Sequence, residues 1–393
     1  MEPISRSTRD EAVIQIMPLI VRLSWRNLIH DRLRFVATVI GIVFSIVLVT
    51  VQMGLFLSFE RMVTTMIDHA PADLWVVPLG TKCFEDPSLV DERERFRALS
   101  INGVTEALPI VIGFAQWRLP SGGTTPVFIV GSDLRAGGMQ PWNLAAGSLA
   151  DLAIPGAVAI DQSYFGRLGT KGLGASAEIR DQKVQVTAVT KGIRAFTTTP
   201  YVFTSLDRAR AYVGTSPNKA TYFLVRVDSN ADVESIRGRL QAILSESEVL
   251  TPDEFRRRSR SFWLFGTGAG AALFAGALLG IIVGTVIVAQ TLYSSTKDHL
   301  NEFATLRAVG ASGMYIYKII IIQALLSAII GFCIAAGIGL TVVNATAESA
   351  LPIIMTPGMS VGLFLLTVVM CVLSAISAIV QVMRIDPAVV FTR

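Results

Sequence analysis

The chain has 393 residues, of which 52% are hydrophobic and only 16% charged, with a formal net charge of +4. A mean hydropathy of +0.55 and a pI near 9.0 exclude an ordinary soluble enzyme domain. Basicity alone would admit a nucleic-acid partner, but the basic residues gather beside long apolar runs, so membrane topology explains them and no nucleic acid is expected.

Residues 1–11 are polar and expected to be disordered. From 19 to 30, Leu19, Leu23, Trp25, Leu28 and Ile29 alternate with Arg22, Arg26, Asn27 and His30. That pattern suits a helix lying in the headgroup region; the alternative is a cytoplasmic extension of the first span. Region 1–34 is therefore read as a cytoplasmic tail with an interfacial helix. No cleaved signal peptide is expected, because the following apolar run is too long for an h-region.

Four apolar runs, 35–58, 262–291, 319–343 and 361–383, are each long enough to cross a hydrocarbon core as a helix. None contains an Asp, Glu, Lys, Arg or His, so the spans carry no sign of an ion-coupled path. Arg22, Arg26, Arg32 and Arg34 precede the first run, and Lys297, Arg307 and Lys318 lie between the second and third. The 344–360 loop has no Lys or Arg, whereas Arg384 and Arg393 follow the last run. By the positive-inside rule both termini, the 292–318 segment and the 384–393 tail face the cytoplasm. The 59–261 domain and the 344–360 loop then lie outside.

The outer domain mixes strands and helices. Strands are expected at 73–77, 104–119, 126–131, 177–180, 184–190, 201–204 and 222–227, and helices at 93–100, 206–212 and 233–244. A turn at Ser121-Gly122-Gly123-Thr124 closes one hairpin, and Asp181-Gln182 joins a second. The expected division is a membrane-proximal part, about 60–133 plus 217–255, holding a distal insertion at about 134–216. Overall this is an α-helical membrane protein with four transmembrane helices, arranged one plus three, and a large α/β extracytoplasmic domain between the first and second.

Few residues invite chemistry. Cys333 and Cys371 fall inside spans and Cys83 is alone in the outer domain, so neither a disulfide framework nor a zinc site is expected. Cys83 reads as a partly buried structural residue and not as a reactive thiol. His30, His69 and His299 are separated by topology and cannot form one site. Trp75, Trp117 and Trp142 read as core or interface residues, not a binding box. Arg256, Arg257, Arg258 and Arg260 sit outside the membrane, against the charge trend. They read as headgroup anchors on a helix that continues into the second span, or as a contact for an anionic lipid or substrate. Gly276, Gly280 and Gly284 fall on one helix face, as do Gly331, Ala335 and Gly339. Small residues at this spacing let helices approach closely in lipid, within one subunit or across a dimer; a substrate groove is the weaker reading.

The cytoplasmic segment places Leu300, Phe303 and Leu306 at three-residue spacing, with Asp298, Glu302 and Arg307 on polar faces and Gly310 as a stop. Such an amphipathic helix can insert into a groove on a partner, or it is a solvated connector. Glu302-Phe303-Ala304-Thr305-Leu306-Arg307-Ala308-Val309-Gly310-Ala311 resembles the E-I-(G/A)-x-L-R-A-(L/V)-G-A signature of MacB/FtsX/LolC/LolE-type ABC permeases. Arg384-Ile385-Asp386-Pro387-Ala388 is similar to the ending of the same family, and the one-plus-three topology matches. Ala72-Asp73-Leu74-Trp75-Val76-Val77 looks closest to DevC-type permeases.

The resemblance implies a mechanotransmitting ABC system in the bacterial inner membrane. It pairs the chain with separate ABC ATPase subunits, a second permease copy or paralogue, and a membrane fusion protein with an outer-membrane channel. MacB itself carries its ATPase at the N-terminus; no G-x-x-x-x-G-K-(S/T) occurs in these 393 residues, so ATP is expected to be hydrolysed by a separate polypeptide. Hence no cofactor is expected on this chain, ATP and Mg being bound by the partner, and no catalytic or metal residues are expected. Two functions remain: extrusion of a substrate, and FtsX-like signalling that activates an extracytoplasmic cell-wall hydrolase without transport. A membrane-embedded enzyme finds no support in the residues.

Overall fold

The computed structural model describes residues 19–134, 137–298 and 313–383. Their elements fall into two compact units, a helical one and a sheet-based one.

In the helical unit, α1 (Leu19–His30) precedes α2 (Arg32–Asp68), which belongs to this unit as far as Leu55. Helices α2, Ala269–Asp298, Gly313–Thr346 and Pro357–Met383 hold the four stretches long and apolar enough to cross a membrane. The first is longer than the apolar run alone, because nothing in Phe59–Asp68 breaks a helix and its outer turns bury Met62, Val63, Met66 and Ile67. Near-uniform hydrophobicity around each helix suits a lipid surround.

The second unit is built on one twisted sheet of ten strands. Its members are β1 (Leu74–Pro78), β3 (Val104–Arg118), β4 (Thr124–Ser132), β5 (Leu144–Gly147), β6 (Ala157–Asp161), β7 (Ser176–Ile179), β8 (Gln182–Thr190), β9 (Tyr201–Ser205), β11 (Tyr222–Val227) and β12 (Ser247–Leu250). The short β2 (Val90–Asp91) and β10 (Lys219–Ala220) pair separately. Sheet order is β12-β1-β11-β3-β4-β9-β6-β8-β5, with β7 beside β3 and β8. Pairs β4–β9 and β6–β8 are parallel, the others antiparallel. The stretches read from sequence as proximal and distal contribute adjacent halves of this order.

Side-chain alternation assigns the faces. Trp75, Leu108, Ile110, Ile112, Phe128, Val130, Ala159, Tyr222 and Leu224 point into one apolar cluster that runs along the sheet. It is covered by Met66 and Ile67 at the end of α2 and by Phe255. The opposite face is divided. Toward β12, Leu74, Val76, Ala107, Phe223 and Val225 pack under Ala98 of α3 (Glu92–Leu99) and Ile236 and Leu240 of the helix Val233–Ile243. Toward β8, Val111, Val127, Ile129, Val158 and Val186 meet Ala209 and Tyr212 of the helix Leu206–Val213. That helix sits close because Gly113 and Gly131 lack side chains: a Cβ on Gly113 would lie 2.6 Å from Val213, and one on Gly131 would overlap Ala209. Trp75 and Trp117 are core residues, as the composition of their strands implies.

Two sequence expectations need correction. The β7–β8 turn centres on Arg180 and Asp181, both at positive φ, which is the two-residue geometry that matches sheet twist; Gln182 already belongs to β8. The second span is not one helix with its approach. Pro252–Arg260 is a separate helix with a Thr251–Glu254 capping box, followed by a π-helical turn, Ser261–Gly266. Gly268, at φ 76°, then breaks the chain before Ala269.

The arginines of that helix face the protein's own carboxylates. Arg256 pairs with Asp68 at 2.8 Å, Arg260 with Glu60 at 3.4 Å, and Arg258 grips both oxygens of Glu248 at 2.6 and 2.9 Å. Arg257 alone of the four is exposed. Burial opposes the charge of Glu248, but the hydrogen bonds and charge of Arg258 outweigh it and hold the carboxyl below the usual range. A depressed folded value means stability that is present above the unfolded value and lost as pH falls through the folded one. Glu248→Gln is therefore expected to cost about 1 kcal/mol at neutral pH, with the difference from wild type vanishing in acid. Thermal unfolding of the purified protein across pH 3–7 measures this.

Candidate functional site

Three helices complete the sheet unit, α4 (Leu206–Val213), α5 (Val233–Ile243) and α6 (Pro252–Arg260), whereas the residues singled out for function belong to the helical unit. The spans that follow are α7 (Ala269–Asp298), α8 (Gly313–Thr346) and α9 (Pro357–Met383). Of the coupling segment, Asp298 is described; Leu300, Glu302, Phe303, Leu306, Arg307 and Gly310 lie outside the described residues. So do His299, the 1–11 tail and the 384–388 motif.

What is described is the frame that carries the segment. Asp298 ends α7, where a carboxylate meets the negative end of the helix dipole. Arg34, in the first turn of α2, offsets this by pairing with Asp298, while also pairing with Asp31 at 3.0 Å. Its guanidinium further donates to the Ser294 carbonyl at 3.4 Å. On the other flank, the buried Ser24 hydroxyl of α1 donates to the Ile319 carbonyl of α8 at 3.2 Å. Thus α1 and the start of α2 are tied to both helices that lead into and out of the segment. Sequence reasoning missed Arg34 as the partner of Asp298, since a contact across 264 positions leaves no local signal.

Both small-residue stripes face α2 of the same chain. A Cβ on Gly276 would lie 2.7 Å from Gln52, one on Gly280 would lie 3.2 Å from Leu48, and one on Gly284 would collide with Ser45. The partners descend as the glycines ascend, so α2 and α7 are antiparallel. Ser45 also donates to the Gly280 carbonyl at 2.7 Å, a hydrogen bond between spans. On α8, a Cβ on Gly331 would lie 2.5 Å from Ile42 and one on Gly339 would lie 3.3 Å from Thr50, while Ala335 is fully buried. Here both numbers ascend, so α2 and α8 are parallel. The spans therefore alternate in direction, and the ends at Arg34, Asp298 and Gly313 share one side of the helical unit.

Outside the spans, Cys83 is buried and desolvation, with the neighbouring Glu85 charge, pushes its thiol up to about 12, which suits an inert residue. His69 stacks on Trp142 with ring centroids 3.9 Å apart. Among the described residues no group of His, Cys, Asp and Glu could hold a metal.

Residues 35–243 match the family model described as MacB-like periplasmic core domain, and residues 274–387 match FtsX-like permease C-terminal. No curated protein sequence matches. Among solved structures, the chain is similar to the periplasmic region of MacB from Actinobacillus actinomycetemcomitans, at 9% identity over 49% of this chain and 94% of that one, with a TM-score of 0.37. It is also similar to the extracellular domain of the noncanonic ABC-type transporter YknZ from Gram-positive bacteria, at 15% identity over 46% and 99%, with a TM-score of 0.34.

Gly280→Leu is expected to destabilise the helical unit by about 1–3 kcal/mol, since overpacking forces helices apart. Gly337→Leu on α8, where a Cβ would meet nothing within 4 Å, is expected to be near neutral. Comparing the two by thermal unfolding in the same detergent separates contact from composition.

Proposed function

Because this chain belongs to the MacB/FtsX-type ABC permeases, we propose that it is the permease subunit of an ABC exporter. In this reading a separate ATPase binds the 299–310 segment and drives motions of the outer domain that extrude a substrate. The supporting observation is the frame just described: Arg34, Asp298 and the start of α8 share one end of the helical unit, and the family signature lies in sequence between Asp298 and α8. Two copies of this chain, or this chain and a paralogue, would present two such segments to two ATPases. A membrane fusion protein and an outer-membrane channel would complete the path from the inner membrane, with both termini cytoplasmic. The size of the outer domain favours docking such a protein over FtsX-like activation of a hydrolase.

Leu300, Phe303 and Leu306 are the residues assigned to the ATPase groove, with Glu302 and Arg307 orienting them. Burying an aromatic anchor contributes about 2 kcal/mol or more at an interface hot spot. Phe303→Ala is expected to lower recovery of the ATPase complex, or to uncouple hydrolysis from transport, while insertion and outer-domain folding stay intact. Wild-type recovery and coupling in both Phe303→Ala and Glu302→Ala would defeat the reading. For topology, a membrane-impermeant maleimide is expected to label a single cysteine at position 229 in intact cells, after replacement of the native cysteines. Labelling only after permeabilisation would reverse the assigned orientation.

A further inference from the structure

One buried acid in the sheet unit has no part in the coupling frame. The loop after β1 carries Glu85 inward until 8% of it is exposed. Its Oε1 accepts from the Tyr201 hydroxyl at 2.9 Å and its Oε2 from the Trp263 indole at 3.0 Å. No Lys, Arg or His lies within ion-pair distance of it among the described residues. Desolvation, the largest influence, raises its carboxyl above the usual range, against the two hydrogen bonds.

Glu85 also lines a cavity of about 250 Å³ whose other walls are largely aromatic. Phe114, Phe128 and Tyr201 come from the sheet, and Phe262 and Trp263 from the π-helical turn before α7. Phe114 is half exposed and gives access from solvent. The volume corresponds to roughly eight waters of liquid, which suits a small organic molecule and not a whole lipid. π-helical turns are rare and recur at functional sites; this one sets two consecutive aromatic rings, with centroids 5.1 Å apart, against the cavity.

Aromatic rings, whose faces carry negative potential, beside a carboxyl lacking an ion-pair partner make the chemistry that recognises an organic ammonium ion, and Lys82 already places its ammonium over the Phe262 ring at 6.0 Å. We infer that this cavity is a binding site for a small alkylated ammonium ion, held among the rings of Phe114, Phe262 and Trp263 and charge-paired with Glu85. The inference is independent of whether the protein exports or signals. On binding, the cation supplies the missing charge and offsets the desolvation that disfavours the ionised carboxylate. The remaining titratable groups nearby are Tyr201 and Tyr222 from the sheet and Lys82, Cys83 and Asp86 from its own loop. Lys82 lies at the rim, where a bound cation would displace it from the Phe262 ring. The π-helical turn contributes no titratable side chain to the cavity.

The test uses the full chain in nanodiscs, with empty nanodiscs subtracted, and calorimetric titration of two near-isosteric probes. These are benzyltrimethylammonium, whose charge is permanent, and the neutral 2-methyl-1-phenylpropan-2-ol. Wild type is expected to bind the cation at least tenfold more tightly than the alcohol at pH 8. Affinity for the cation should fall as pH drops and Glu85 is protonated. Glu85→Gln should abolish the preference while retaining alcohol binding, and Phe262→Ala should weaken both probes. If Glu85→Gln fails to elute as folded protein, the wild-type pH profile decides. Equal binding of the two probes, a preference that survives in a folded Glu85→Gln, binding of neither probe, or cation affinity that does not fall in acid would overturn the site.

Discussion

Inside a hydrocarbon layer, apolar side chains gain nothing by leaving lipid for one another, so spans are held by close backbone approach and by hydrogen bonds. In this chain that requirement falls on α2. Its neighbours reduce their side chains to hydrogen or methyl along Gly276-Gly280-Gly284 and Gly331-Ala335-Gly339, and α2 fills the spaces with Gln52, Leu48, Ser45, Ile42 and Thr50. The direction of each neighbour, and hence which ends of the spans lie together, follows from these contacts. The ion pair of Arg34 with Asp298 closes the end at which the stripes bring α2 and α7 together.

The sheet unit solves a different problem, that of burying both faces of one sheet. Its continuous face needs a long cover and receives it from Met66, Ile67 and Phe255. Its divided face is closed by short helices that return between strands, α3 and α5 on one half and α4 on the other. The ion pairs of Arg256 and Arg260 with Asp68 and Glu60 then fasten the two covering pieces of the continuous face to each other. Three of the four arginines that oppose the membrane trend in sequence, Arg256, Arg258 and Arg260, are therefore paired within the protein.

Much of this was legible beforehand because it is local. The apolar runs, the hairpin at Gly122-Gly123 and the strand over Tyr222–Val227 each announce themselves through composition and period. Strands β6 and β12 passed unread: Ala157–Asp161 is short and small-residue rich, and Ser247–Leu250 carries a Glu. Both are stabilised by neighbours distant in sequence. The helix Pro252–Arg260 had a local signature, Thr251-Pro252-Asp253-Glu254, which the apolar run behind it overshadowed. The partners of Asp298, Glu85 and the arginines were beyond reach, since charge complementarity across long separations has no period. The small-residue spacing was visible; that both stripes meet the same helix was not.

The chain leaves and re-enters its spans by two passages of unequal stiffness. Along α2 the hydrogen-bond ladder runs unbroken over 37 residues, so the passage resists bending as a pushrod does. The return passage changes from α-helix to a π turn at Ser261 and then reverses φ at Gly268, so its ladder is discontinuous. Between Ser261 and Gly268, therefore, the backbone can change direction without breaking an α-helical hydrogen-bond ladder, whereas any change of direction within Arg32–Asp68 must break one.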